Sequence, residues 1–206
     1  MPAVLKYLMS AIALLLAAHA SHGQADISNP QPPNELIKSL QSGGHIIYMR
    51  HGKTTRKNKS LNKNLIDLER CETQRNLTPD GLLEVKSIGH TIAALGIPIG
   101  KVLSSPYCRT KDTAKAVFGA FEVDENLAFS IAKEADESAK LGQYLHGLML
   151  ETQGRAKNAV FVGHTANLKD GLGVWPKPEG VAVIFKAKDN KVIYKGMIKP
   201  DEWPNL

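Results

Sequence analysis

The chain has 206 residues, 43% of them hydrophobic and 22% charged, with a formal net charge of +6. That length suits one domain with a sizeable core, and the composition excludes a low-complexity or disordered chain. The positive excess is modest and spread out, with no stripe of basic residues interleaved with aromatics, so it argues against nucleic acid as a partner and fits an anionic substrate.

The N-terminal segment stands apart. Met1 to Tyr7 carries one charge, Lys6, and an apolar run from Leu8 to Ala18 follows. Ala18-His19-Ala20 and Gly23-Gln24-Ala25 are two candidate cleavage sites. The pattern reads as a secretory signal peptide and cleavage region over 1–25, with cleavage after residue 20 or 25 left open. A membrane anchor is the competing reading, but the run is shorter than the roughly 20 residues a spanning helix needs. Cleavage removes one charge, that of Lys6. The expected product is secreted or periplasmic, with no stable membrane insertion.

Residues 26–40 read as an N-terminal linker ahead of a domain over 41–206. Asp26 to Asn34 is rich in Pro, Asn and Ser, and Glu35 to Gln41 could form a short helix. His45 to Arg50 reads as the first strand, with Gly52 after it letting the backbone turn at once. Lys53 to Asn64 is polar and basic without an apolar period, which predicts a loop at the sheet edge. Thr78-Pro79-Asp80 offers an N-cap followed by proline at the first helical position. Leu82, Val85, Ile88, Ile92 and Leu95 then recur at helical spacing up to Gly96. Lys101 to Ser105 reads as a second strand and Arg109 to Phe118 as a helix. Val123 to Ser130 is ambiguous, with an extended segment as one reading. Ala139 to Leu150 reads as a helix, and Asn158 to Gly163 as a third strand. Val181 to Phe185 and Val192 to Met197 read as a final hairpin around Lys188-Asp189-Asn190. Strands alternating with helices predict a three-layer α/β/α sandwich with a mainly parallel central sheet.

Parallel strands would bring three strand ends to one sheet edge, where open α/β sheets bind ligands. These ends are Arg50-His51-Gly52, the stretch from Ser104 to Thr110, and Val162-Gly163-His164-Thr165. The expected pocket holds two histidines and two arginines. A neutral imidazole is a good nucleophile near pH 7. Attack on phosphorus would give a phosphohistidine, with guanidinium groups neutralising and aligning the phosphoryl oxygens. Cys71 and Cys108 are the two cysteines. In an oxidising compartment they form one disulfide, worth roughly 4 kcal/mol for a loop of that size. Two buried free thiols are the alternative.

The chain resembles the histidine phosphatase superfamily, the phosphoglycerate mutase-like group, from about His45 to Phe185. The resemblance is carried by Arg50-His51-Gly52-Lys53-Thr54, Leu77-Thr78-Pro79-Asp80-Gly81, Ser104-Ser105-Pro106-Tyr107-Cys108-Arg109-Thr110 with Thr113-Ala114, and Val162-Gly163-His164. It implies that His51 is the nucleophile and that Arg50, Arg109 and His164 complete a phosphate-binding quartet. Thr54 sits where the family often has a hydroxyl near the phosphate. Arg75 either reaches the pocket rim or is a surface arginine ahead of a helix. One branch of the family places an aspartate directly after the second histidine as proton donor, and here that position is Thr165. The other branch usually carries a glutamate after the second strand–helix unit, the region of Glu134, Asp136 and Glu137. Glu134 and Glu179 are the candidate acids, and members that act on good leaving groups need none.

The resemblance implies a metal-independent phosphatase without a cofactor, acting on a small phosphorylated substrate or a phosphorylated envelope glycan. The alternative is a catalytically weak phosphate- or partner-binding envelope protein that keeps the pocket. His45, His90 and His146 read as structural, and no pair of histidines has the spacing of a metal motif. Oligomeric state is not legible in the sequence.

Overall fold

The computed structural model describes residues 24–27, 29–55 and 67–206. The expected signal peptide up to residue 23, and most of the expected basic loop, lie outside the described residues. Six strands form one sheet: β1 (Ile46–Arg50), β2 (Ile99–Ser104), β3 (Glu122–Val123), β4 (Asn158–Gly163), β5 (Ala182–Lys188) and β6 (Lys191–Ile198). Their spatial order is β3-β2-β4-β1-β5-β6. The β3–β2, β2–β4 and β4–β1 pairs are parallel, and β1–β5 and β5–β6 are antiparallel. The three site-bearing strands are therefore adjacent, and their carboxyl ends share one edge.

Among the described residues, five α-helices cover the sheet: α1 (Pro33–Gln41), α2 (Pro79–Ala94), α3 (Cys108–Phe118), α4 (Ala135–Leu150) and α5 (Thr165–Leu172). The alternation of strand side chains sorts the core into two clusters. Ile47 and Met49 of β1 join Val160 and Val162 of β4 against α1, α2 and α3, through Leu36, Leu40, Val85, Ile88, Ala114 and Val117. Ile46 and Tyr48 face the other way, with Phe161, against Leu145 and Met149 of α4 and Leu168 and Leu172 of α5. β1 and β4 are buried on both faces, which explains why they read as continuous apolar runs. These two cores are the inner faces of the expected three-layer sandwich.

Four local features add to or differ from the sequence reading. In the expected linker Asp26, Ile27, Asn29 and Pro30 are exposed, yet the described residues at its start are hydrogen-bonded to the rest of the fold. Ala25 N donates to Leu172 O, Asp26 N to Val192 O, Tyr194 N to Asp26 O, and Gln31 N to Lys195 O. The segment thus covers backbone groups of the edge strand β6 that a sheet edge would leave open. α1 buries Leu36, Ile37 and Leu40, so the packed unit begins ahead of residue 41. The ambiguous stretch after β3 holds two short 3-10 turns, Glu125–Leu127 and Ser130–Ala132. Gly52 does not have a positive φ and so does not serve a left-handed turn. It is small because a Cβ there would meet Val85 Cγ1 at 2.7 Å. The final hairpin turns through Asp189 (φ 51) and Asn190 (φ 56), the two left-handed residues that a tight type I′ turn requires.

Candidate active site

The end of β1 is pinned on both sides. His51 N donates to Gly163 O, Arg50 N to Val181 O, and Gly180 N to His51 O. The His51 side chain is buried, and its Nδ1 lies 2.9 Å from Gly52 O. A carbonyl can only accept, so Nδ1 carries the proton and Nε2 keeps its lone pair. Burial, and then the charge of Arg109, hold the His51 pKa well below its usual 6.5. His51 is therefore a neutral imidazole at physiological pH with a free Nε2.

His164 follows β4 and caps the N-terminus of α5. Its backbone is fixed by Tyr48, whose hydroxyl donates to His164 O at 2.7 Å and accepts from His164 N at 2.9 Å. Gly163 must be glycine, because a Cβ would run into that tyrosine hydroxyl. Arg109 Nη2 donates to His164 Nδ1 at 3.2 Å, which leaves Nε2 to donate to Ser105 Oγ at 2.8 Å. Burial, then Arg109, hold the His164 pKa well below 6.5 as well. The two imidazole rings lie 5.5 Å apart between centroids. Tyr107 and Phe129 each pack 5.0 Å from the His164 ring.

Arg109 sits one residue into α3 and is nearly buried. Its guanidinium lies 4.6 Å from the Tyr107 ring centroid and 5.5 Å from that of Phe129. Desolvation lowers its pKa to about 10, which still leaves a cation at neutral pH. Thr113 ties this helix to the end of β1: its hydroxyl accepts from Gly52 N at 3.0 Å and donates to Arg109 O at 2.7 Å.

Arg50 and Arg75 form the outer side, and both converge on Glu179. Arg50 Nη1 donates to Pro176 O at 3.2 Å and Nη2 to Glu179 Oε1 at 3.4 Å. Arg75 Nη2 donates to Glu179 Oε1 at 3.0 Å and also to Thr54 Oγ1. Thr54 donates through its hydroxyl to Oε1 at 3.0 Å and through its backbone N–H to Oε2 at 2.9 Å. Thr54 and Arg75 are themselves held together, by a bridge between Thr54 and Leu77 and by Thr55 N donating to Asn76 O.

Cys71 and Cys108 form a disulfide. Cys108 immediately precedes Arg109, and Cys71 lies in a short turn, Cys71–Thr73, just before Arg75. Buried Gln74 completes the joint, accepting from Cys108 N at 2.9 Å and donating to Asp67 O at 3.0 Å.

The structure thus brings together Arg50, His51, Thr54, Arg75, Arg109, His164 and Glu179. Glu134 is not among them: it is exposed at the N-cap of α4, and the bonds that build the pocket do not reach it. Its place is set by α4 starting at Ala135, four residues ahead of the expected start. Tyr48, Ser105, Gln74, Thr113 and Phe129 are additions that motif reading missed. Tyr48 lies inside an apolar strand, and Phe129 in the ambiguous stretch, so neither had a local signal. Ser105 and Thr113 stood within the quoted motifs, but only packing reveals their partners. Among the described residues, no group of three or more His, Cys, Asp or Glu is arranged to hold a metal ion.

Residues 46–130 match the family model of the histidine phosphatase superfamily, branch 1. Over these residues, less than half of its length, the chain is similar to the histidine phosphatase superfamily. Solved structures share the fold at low sequence identity. The protein histidine phosphatase SixA, complexed with tungstate, is 18% identical at a TM-score of 0.55, over 76% of this chain and 97% of that one. A phosphoserine phosphatase from Entamoeba histolytica is 16% identical at 0.54, over 75% and 96%. The ecdysone phosphate phosphatase of Bombyx mori is 16% identical at 0.53, over 76% and 92%. No curated protein matches the chain. The superfamily match covers β1, β2 and the helices that follow them. It contains Arg50, His51, Arg75 and Arg109, whereas His164 and Glu179 lie beyond it and are supplied by the fold.

Proposed function

We propose that this protein is a member of the histidine phosphatase superfamily and a metal-independent phosphatase that hydrolyses phosphomonoesters through a phosphohistidine on His51. The observation that carries the reading is the state of His51: buried, neutral, and oriented through its Nδ1–H to Gly52 O so that Nε2 is the available nucleophile. In the first step Nε2 forms a bond to phosphorus as the ester P–O bond breaks, and the departing oxygen takes a proton from solvent water. In the second, water attacks phosphorus and gives up a proton to solvent, while the P–N bond breaks and its electron pair returns to Nε2. Inorganic phosphate leaves. Arg50 and Arg109 supply the charge that the equatorial oxygens require, which is the role a metal plays in other phosphoryl-transfer sites. His164 accepts from Arg109 and so aims that guanidinium.

Of the two candidate acids, Glu179 is the one placed beside the cradle. Both of its oxygens act as acceptors here, so it must release donors before it can carry a proton to a leaving group. Secretion into the periplasm or beyond the cell is part of the proposal, supported by the apolar N-terminal run and by the Cys71–Cys108 bond. The substrate class is a small phosphorylated metabolite or a phosphorylated envelope glycan.

The test is hydrolysis of p-nitrophenyl phosphate in EDTA by the wild type and by His51→Ala. Turnover that survives EDTA and is lost in the variant is expected. Equal rates, or activity only with added metal, reject the proposal. A phosphoenzyme that forms but does not turn over would mark a phosphate-binding protein instead.

A further inference from the structure

Glu179 is bound as an anionic ligand would be. Its carboxylate takes two guanidinium donors, a hydroxyl and a backbone N–H, from Arg50, Arg75 and Thr54. That donor set is the one a phosphoryl group recruits, since charge-assisted bonds from planar guanidinium groups suit tetrahedral oxyanions and carboxylates alike. The side chain is mostly buried, with 15% of its surface exposed, and borders an open groove of about 780 Å³ that also reaches Arg50, Lys53, Glu84, Lys177 and Lys199. There is room beside it for the carboxylate to move.

We propose that Glu179 is a positioning residue that trades places with the phosphoryl group. It keeps Arg50 and Arg75 converged on one point, yields them as a phosphoryl group enters, and retakes them as inorganic phosphate leaves. This rests on the phosphatase reading and differs from a role as proton donor. A donor acts on the leaving oxygen and leaves phosphate affinity unchanged. An exchanging anion competes with phosphate for the same nitrogens. Removing its charge therefore tightens phosphate binding and strengthens product inhibition, by about tenfold if the competition is worth one charge-assisted hydrogen bond. KM falls with it, and kcat falls wherever phosphate release limits turnover.

The experiment is calorimetric titration of inorganic phosphate into the wild type, Glu179→Gln, Glu179→Ala and Glu84→Gln, with thermal melts to show that each is folded. Glu84 lines the same groove and lies outside the set of groups bonded to the Glu179 carboxylate, so Glu84→Gln measures the general electrostatic effect. The expected result is tighter binding in both Glu179 variants by about tenfold and a change under about threefold in Glu84→Gln, with the inhibition constant of phosphate moving in parallel. Equal or weaker binding in Glu179→Gln overturns the exchange and leaves the phosphatase reading standing. Failure of every protein, wild type included, to bind phosphate overturns both.

Discussion

His51, His164 and Arg109 are held by the protein core, whereas Arg50, Arg75 and Thr54 are held largely by one carboxylate. The inner three are fixed by backbone carbonyls, the Tyr48 hydroxyl and the rings of Tyr107 and Phe129. All three are buried, and burial keeps both imidazoles neutral. Of the outer groups Thr54 is itself buried, whereas Arg75 keeps 39% of its side-chain surface exposed and meets Glu179. The contrast gives His51 rigid, low-dielectric placement and gives the cations at the mouth a carboxylate partner. Under the proposed function, a site that binds one anion and releases another would need both kinds of construction.

The Cys71–Cys108 bond crosses between the halves, so breaking it has the largest expected effect. It closes a 37-residue separation, which the chain-entropy model values at about 4 kcal/mol. Cys71→Ser with Cys108→Ser should lower unfolding stability in urea by about that amount. It should also weaken phosphate binding, since the segments carrying Arg75 and Arg109 lose their tie. Stability unchanged within about 1 kcal/mol would show that the bond is not structural.

Acid probes the inner half. Both histidines have folded pKa values below the unfolded 6.5. Above that pH neither state binds the proton, and the shift costs nothing. Below it the unfolded chain takes up protons that the folded chain refuses, so stability falls as pH falls, by up to about 1.4 kcal/mol per pH unit for each histidine. Melting temperatures between pH 7 and pH 5 should show this decline, and His164→Asn should flatten it. The same shift puts the acid limb of the kcat/KM profile below pH 6.5. A limb above 6.5 would contradict a buried neutral nucleophile.

Tyr48→Phe is a smaller perturbation of the same half. It strips both partners from the His164 backbone and should cost about 1–3 kcal/mol of stability. Its activity loss should appear in kcat with phosphate affinity nearly unchanged, whereas Glu179→Gln is expected to bind phosphate more tightly.

The sequence made the inner half more legible than the outer. β1 and β4 are buried on both faces, so their apolar runs stood out, and Arg50-His51-Gly52 and Gly163-His164 mark where those runs stop. α2 announced itself through Thr78, whose side chain caps Gly81 N, and through its apolar period. α5 did not, because eight residues with buried apolar side chains at Ala166, Leu168 and Leu172 are too few to display a period. Glu179 could be named only as a carboxylate near a strand. Its contacts come from residues 104 to 129 positions away, a distance over which local pattern carries no information. Asp26 and Gln31 fell within the expected linker for the same reason: their partners on β6 are remote in sequence.

The most direct measurement of the central claim is rapid quenching of the enzyme during turnover, under alkaline conditions that preserve phosphoramidates, followed by peptide mass spectrometry. The account predicts a phosphoryl group on His51 in the wild type, none on His164, and none anywhere in His51→Ala. Steady turnover with no phosphoryl adduct on His51, or with the adduct on another residue, would contradict it.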